Sequence, residues 1–317
     1  MLKAMKKILI AMTVLSLMII SPRIINKIIG RIDNQSDLLA NVGNSRKSSV
    51  FDKIEIEAKS AYVFDILSGK PIFELNSNTQ LPLASFIKIM TSTIAKENIP
   101  DETIITILKE DLGNDGDDGL FLDERWTLSK LIDFEMAKSS NDASHAIARS
   151  VEQTFLESNF KDIPVFSGKF PKFLYLMNKK AKEIGMEQTY FLNETGLDIS
   201  KDVSGAYGSA FDVAKIARYA LEHHPEIFES TVYDKITLDS LDYKHEVLNT
   251  NKYVGKMIRI LGSKTGYTEL AGGNLVTIFD AGYGRPFIAV VMGSSMEGRF
   301  SDMQKLIDAT YEWLQQK

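Results

Sequence analysis

The stretch LPLASFIKIMTST, residues 81–93, decides how the rest of the chain is read. Ser85 and Lys88 stand three residues apart, which on a helix puts both side chains on one face. At about 100° per residue, Ser85, Lys88, Ser92 and Ala95 share a narrow arc. Phe86, Ile87, Ile89, Met90 and Ile94 fill most of the remaining circumference. A lone lysine on such a helix is not a solvated surface group, because apolar neighbours disfavour its charged form and lower its pKa. To serve as a base near neutrality the amine must fall by about 3 units, roughly 4 kcal/mol. Ser85 at the helix start also gains the positive end of the helix dipole and nearby free N–H groups.

Outward from this helix, the pattern of apolar residues sets the architecture. SAYVFDI (60–66) and PIFEL (71–75) flank LSGK, two short apolar runs around a turn, and predict a hairpin. From about Leu83 to Val232 the pattern is helical, with LSKLIDFEMAK (128–138) and AFDVAKIARYALE (210–222) showing three-and-four spacing. Strand patterns return in RILGSKTG (259–266), GNLVTIF (273–279) and PFIAVVMG (286–293), with the turn DAGYGR before the last. SDMQKLIDATYEWLQ (301–315) reads as a closing amphipathic helix. Strands at both ends with helices between predict an α/β (α+β) fold: an antiparallel sheet made by the two chain ends and flanked by helices, beside a mostly helical lobe. The acidic run NDGDDG (114–119) fails the register of a calcium loop and reads as a solvated turn.

Composition narrows the chemistry. The 317 residues carry a net charge of −5, so a nucleic-acid binder, which needs a basic face, is disfavoured. With no cysteine, thiolate catalysis and cysteine-based zinc sites are excluded. The four histidines form no H-E-x-x-H pattern, so no metal or other cofactor is expected. At the N-terminus, Lys3, Lys6 and Lys7 precede the uncharged run Ile8–Ile20, the form of a secretory signal. No small-residue cleavage site follows, so residues 1–23 read as either a signal peptide or an uncleaved membrane anchor. Residues 24–53 are polar, with DNQSD and GNSRKSS, and read as a tether. The catalytic domain is expected over 54–317, exported to the extracytoplasmic face of the membrane or the periplasm, with membrane contact through the N-terminal segment alone.

S-x-x-K by itself says little, and a second copy, Ser158 to Lys161, reads as accidental. Its company is informative. KSSNDAS supplies Ser139-Ser140-Asn141, and GSKTGYTELAGG supplies Lys264-Thr265-Gly266, in the order S-x-x-K, S-x-N, K-T-G. Ser158 lies after the S-x-N element, so only Ser85 heads the set. This is the three-part signature of penicillin-binding proteins and serine β-lactamases. From about Ala58 to the C-terminus the sequence resembles the low-molecular-mass D-alanyl-D-alanine carboxypeptidases, serine peptidases that trim peptidoglycan stem peptides. The resemblance includes SGKPIFELN, ASFIKIMT, SSNDAS, FLNETGLD, SAFDVAKIARYAL, NTNK, KTGYTELAGGNLV and GRFSDM.

The resemblance implies a β-lactamase/transpeptidase-like fold and a role for each matched residue. Ser85 attacks the D-Ala–D-Ala carbonyl, Lys88 accepts its proton, and Ser139 relays a proton to the leaving amine. Asn141 holds substrate and Lys88 in line. Lys264 and Thr265 meet the substrate carboxylate, Gly266 leaves room at the sheet edge, and the N–H groups of Ser85 and Tyr267 form the oxyanion hole. Arg299 falls near the carboxylate pocket. β-Lactams are expected as covalent inhibitors. A class A β-lactamase is disfavoured because Lys172 to Lys182, where its deacylating Glu would lie, contains no Glu. A cross-link-cutting endopeptidase and a penicillin sensor that is acylated without turnover both remain open.

Overall fold

The computed structural model describes residues 50–113, 115, 118–156, 169–257, 259–282 and 284–316. The expected signal or anchor, most of the expected tether, and the second S-x-x-K copy at Ser158 and Lys161 lie outside the described residues. The described residues open with a 3₁₀ turn, Val50–Lys53, whose Val50 and Phe51 are buried, so four residues read as tether belong to the folded unit.

The expected hairpin is β1 (Ser60–Asp65) and β2 (Lys70–Leu75). The chain then gives β3 (Leu81–Pro82), helix α1 (Lys88–Asn98), and a ribbon of β4 (Ile104–Thr106) with β5 (Arg125–Thr127). Helices α2 (Leu128–Lys138), α3 (Asn141–Leu156) and α4 (Pro171–Glu183) follow, then β6 (Tyr190–Phe191), β7 (Ala206–Gly208) and helix α5 (Ala210–His223). A hairpin of β8 (Lys235–Asp239) and β9 (Lys244–Leu248) precedes the long strands β10 (Ile260–Thr268), β11 (Gly272–Asp280) and β12 (Pro286–Ser294). Helix α6 (Gly298–Gln315) closes the chain.

The main sheet runs β10-β11-β12-β1-β2, antiparallel throughout, so the two ends of the folded unit meet where Ser60 pairs with Met292. Its period of two explains the unbroken apolar runs seen in the sequence. Phe287, Ala289 and Val291 face α6, which offers Phe300, Met303, Leu306 and Ile307 at helical spacing. Ile288, Val290 and Met292 join the other core, with Val276, Ile278 and Tyr62. Both faces are covered, so every residue of these strands gains by being apolar.

The lobe is built around α1, whose residues Lys88 to Ala95 are all buried. A helix apolar around most of its circumference belongs in a core, and neighbouring helices surround this one. The region 83–232 is mainly helical but interrupted by the ribbons β4–β5 and β3–β7–β6. Each of those strands has two or three residues, too few to show a period, and tertiary pairing alone creates them.

Candidate active site

Ser85 lies in a 3₁₀ turn, Ala84–Ile87, that runs directly into α1 at Lys88. In 3₁₀ geometry residues three apart eclipse one another, which aligns this pair more closely than an α-helix would. The Lys88 amine is 3.2 Å from Ser85 Oγ. The turn is held from several sides. Asn274 on β11 donates to the carbonyls of Pro82 and Leu83, each at 3.1 Å, and accepts from the N–H of Gly293. Ala84 sits at φ 49°, a left-handed conformation costly for a residue with a Cβ and found where surrounding structure enforces it. Gly196 makes room for that conformation: a Cβ there would lie 2.1 Å from the Ala84 carbonyl oxygen.

Lys88 is fully buried, and its amine also donates to Asn141 Oδ1 and to the Thr195 carbonyl, both at 2.7 Å. Burial pushes its pKa down to about 8, against the opposing pull of Glu135, Asp118, Glu194 and Asp115. The fall expected from the apolar helix is therefore present, with carboxylates limiting its depth.

The S-x-N element is the joint between two helices. Ser139 ends α2 in the left-handed region at φ 62°, and α3 starts two residues later at Asn141. Asp118 fixes this joint: its carboxylate accepts from Ser140 Oγ and the Asn141 N–H, both at 2.8 Å. The acidic run was expected to be a solvated turn, yet its last aspartate caps a helix start, where a carboxylate stabilises free N–H groups.

Opposite, β10 presents the K-T-G element. Lys264 is buried and donates to Ser139 Oγ at 2.6 Å, closing the link between sheet and lobe. Burial and then the charge of Lys88 push its pKa well below the lysine range, with Arg299 adding to the fall and Glu135 opposing it. Two ammonium groups in one dry pocket disfavour each other, so the pair releases a proton more readily than an isolated lysine. Thr265 Oγ1 donates to Thr250 Oγ1 at 2.6 Å. A Cβ on Gly266 would lie 3.1–3.3 Å from Ala84 Cβ, the Ser85 nitrogen and the Leu83 carbonyl oxygen. The room at Gly266 is thus used by the turn that carries Ser85. Tyr267 is 39% exposed at the strand end. Arg299, on the first turn of α6, is buried and donates to the Gly266 carbonyl at 2.8 Å, with its guanidinium 4.7 Å from the Phe300 ring centre.

Ser85, Lys88, Asn141, Ser139 and Lys264 therefore meet at one place, drawn from the turn before α1, α1 itself, the α2–α3 joint and β10. Thr265, Gly266, Tyr267 and Arg299 line the β10 side. Three contributors escaped the sequence reading. Thr195 acts through its backbone carbonyl, which no side-chain pattern reveals. Glu194 is held by His145 Nδ1 at 2.7 Å, a buried pair joined across 49 residues. Glu135 is fully buried beneath the cluster, and an acid four residues before Ser139 in an otherwise apolar helix face was the signal for it.

The peptidase S11 family, described as D-alanyl-D-alanine carboxypeptidase, matches residues 45–296. D-alanyl-D-alanine carboxypeptidase DacF of Bacillus subtilis is 32% identical over 262 residues, 80% of this chain and 62% of that protein. A D-alanyl-D-alanine endopeptidase of Haemophilus influenzae is 28% identical over 225 residues, 70% of each chain. The chain spans about three-fifths of the length of the carboxypeptidase relatives it matches, 62% of DacF and 63% of DacD of Salmonella typhimurium. Among solved structures, ampicillin-bound penicillin-binding protein D2 of Listeria monocytogenes superposes with a TM-score of 0.66 at 22% identity, covering 81% of this chain and 98% of that one. A point mutant of the Streptomyces K15 DD-transpeptidase gives 0.69 at 22% identity, covering 82% of this chain and all of the other (100%). These two likenesses show the expected transpeptidase-like fold. By the family match across most of its length, the chain belongs to the D-alanyl-D-alanine carboxypeptidase family of peptidases.

Proposed function

We propose that this protein is a serine-type D-Ala-D-Ala carboxypeptidase that removes the terminal D-Ala of peptidoglycan stem peptides through an acyl-enzyme on Ser85. The observation that carries this reading is the hydrogen-bond set of Lys88. Two of its three partners, Asn141 Oδ1 and the Thr195 carbonyl, are acceptors that cannot donate. A neutral amine has two N–H bonds and one lone pair. In that neutral form the two carbonyl oxygens would take the N–H bonds, which leaves the lone pair for the Ser85 hydroxyl 3.2 Å away. Lys88 then takes the Ser85 proton as the oxygen attacks the D-Ala carbonyl, and charge developing on that carbonyl oxygen is met by the N–H groups of Ser85 and Tyr267.

Ser139, between the attack site and Lys264, passes a proton to the departing amine. Lys264, Thr265 and Arg299 receive the substrate's C-terminal carboxylate, and its arrival gives the Lys264 ammonium a counter-ion. Water then hydrolyses the ester at Ser85. β-Lactams, which offer the same carbonyl and carboxylate, acylate Ser85 and remain attached.

A peptidoglycan substrate calls for an enzyme outside the cytoplasm, with residues 1–23 serving as signal or anchor, 24–49 as tether, and the catalytic domain beyond. Among the described residues no helix is long and apolar enough to cross a membrane, and the basic flank and apolar run of residues 3–20 support membrane contact through the N-terminal segment. The similarity to the Haemophilus endopeptidase supports one second reading, cleavage of cross-links by the same acyl-enzyme route. Intact mass after incubation with penicillin, followed by D-Ala release from a pentapeptide and by splitting of a cross-linked dimer into its two monomers, tests both. One adduct at Ser85 with multiple turnovers on pentapeptide supports the carboxypeptidase. Turnover confined to the dimer supports the endopeptidase, and one stoichiometric burst on either substrate supports a sensor.

A further inference from the structure

The side chains that meet at Ser85 have a second layer one helical turn deeper. Ser92 follows Lys88 by four residues on α1, Glu135 precedes Ser139 by four on α2, and Ser144 follows Asn141 by three on α3. Spacings of three and four keep each pair on one helix face. In this layer Ser92 Oγ donates to one Glu135 oxygen and Ser144 Oγ to the other, both at 2.6 Å. Glu135 is fully buried, and these hydrogen bonds come from uncharged hydroxyls. A carboxylate in that setting is costly for the fold, and an apolar side chain of similar size would fill the space without the cost. Its place beneath two lysines points to a use.

We propose that Glu135 is a positioning residue and charge counterweight for the lysine pair, tying together the three helices that carry Lys88, Ser139 and Asn141 and setting the pH at which Lys88 becomes able to take the Ser85 proton. This rests on the reading of Lys88 as the base. The charges facing Lys88 are Glu135 from α2, Asp115 and Asp118 from the connection between β4 and β5, and Glu194 from the loop between β6 and β7, with Glu135 acting most strongly among them. Lys264 on β10 and Arg299 on α6 stand across the pocket, and Glu135 also steadies the Lys264 charge. Burial pushes the Glu135 carboxyl up, while the two serine hydroxyls and then the two lysines pull it back down. An anionic Glu135 holds the proton on Lys88, so removing its charge frees the amine at lower pH.

The test is the pH profile of Ser85 acylation by a fluorescent penicillin. Glu135→Gln keeps the shape and loses the charge. Its acid limb should move to lower pH by about one unit, the scale of one unit charge acting across neighbouring helices. Glu135→Asp, which restores the charge, should bring the limb back toward the wild-type position. A purely structural role would lower the plateau and leave the limb in place, and that result overturns the proposal. A wild-type profile with no acid limb would instead remove Lys88 as the base and Glu135's role with it. If the variants do not fold, carbon-13 carboxyl NMR of the wild-type protein gives the decision. A Glu135 carboxylate ionised across the acid limb supports the proposal, and one that stays protonated throughout ends it.

Discussion

The amine of Lys264 donates a hydrogen bond to the hydroxyl of Ser139 at 2.6 Å, joining residues 125 apart in the chain and bridging the sheet to the helical lobe. That contact makes the cleft a single site, because the other half of the lobe already carries Ser85, Lys88 and Asn141. This short hydrogen bond fixes the distance between the two walls of the cleft.

Replacement of Ser85 by Ala should abolish both penicillin labelling and D-Ala release, by at least about a thousandfold in acylation rate, since no other group can form the ester. Gel fluorescence after labelling checks it. Retained labelling on the variant would place the nucleophile elsewhere.

Acylation should rise with pH. As the proposed base, Lys88 would act when neutral, and burial pushes its pKa down to about 8, so the rate should climb about tenfold per pH unit below that value and level off above it. Lys88→Arg, which keeps the charge and offers no usable lone pair, should lose the pH-dependent rate altogether. Stopped-flow acylation across pH 6 to about 10 reads both.

Stability should also respond to Lys88, with a defined sign. Between about 8 and the ordinary 10.5, the unfolded chain keeps this proton and the folded chain has released it. The unfolded state then binds more protons, so stability increases with pH through that window, by about 3 kcal/mol when complete. Lys264 contributes in the same direction. Tyr62 acts oppositely above pH 10, because burial raises its pKa to about 12. Urea unfolding at several pH values below 10 should show the positive slope, and Lys88→Met should flatten it.

The two glycines at the nucleophile turn should separate catalysis from folding. At Gly266 an added Cβ meets neighbours at 3.1–3.3 Å, a crowding that a small shift of the turn relieves. Gly266→Ala should cost on the order of tenfold or more in acylation with little change in Tm. At Gly196 the backbone is left-handed at φ 85° and the Cβ would lie 2.1 Å from a carbonyl oxygen, so Gly196→Ala should destabilise the domain by several kcal/mol. Calorimetry alongside acylation kinetics distinguishes the two.

Asp118→Ala should loosen the start of α3. It removes the acceptor for Ser140 Oγ and the Asn141 N–H and should cost about 1 kcal/mol of stability. Because Asn141 orients Lys88, acylation should fall more than stability alone explains, which paired urea and labelling measurements would show.

Much of this was legible in the chain itself. Alternation and apolar runs in residues 60–75 and 259–293 announced the sheet, since strands covered on both faces must be apolar throughout. The arc shared by Ser85 and Lys88 was visible because spacing within one helix is local geometry. The short ribbons were not, since two or three residues carry no period, and the use of Asp118 as a cap was hidden in a run that looks merely acidic.

From sequence by itself came the residue types and their order: S-x-x-K, S-x-N and K-T-G, each within one local element. Tertiary structure alone decided that Thr195 offers a carbonyl to Lys88, that Gly266 makes room for the Ser85 turn, and that Glu135 lies beneath both lysines. The physical reason is that a backbone acceptor, a missing Cβ and a buried charge acquire their roles from neighbours distant in sequence. No local pattern along the chain encodes who those neighbours will be.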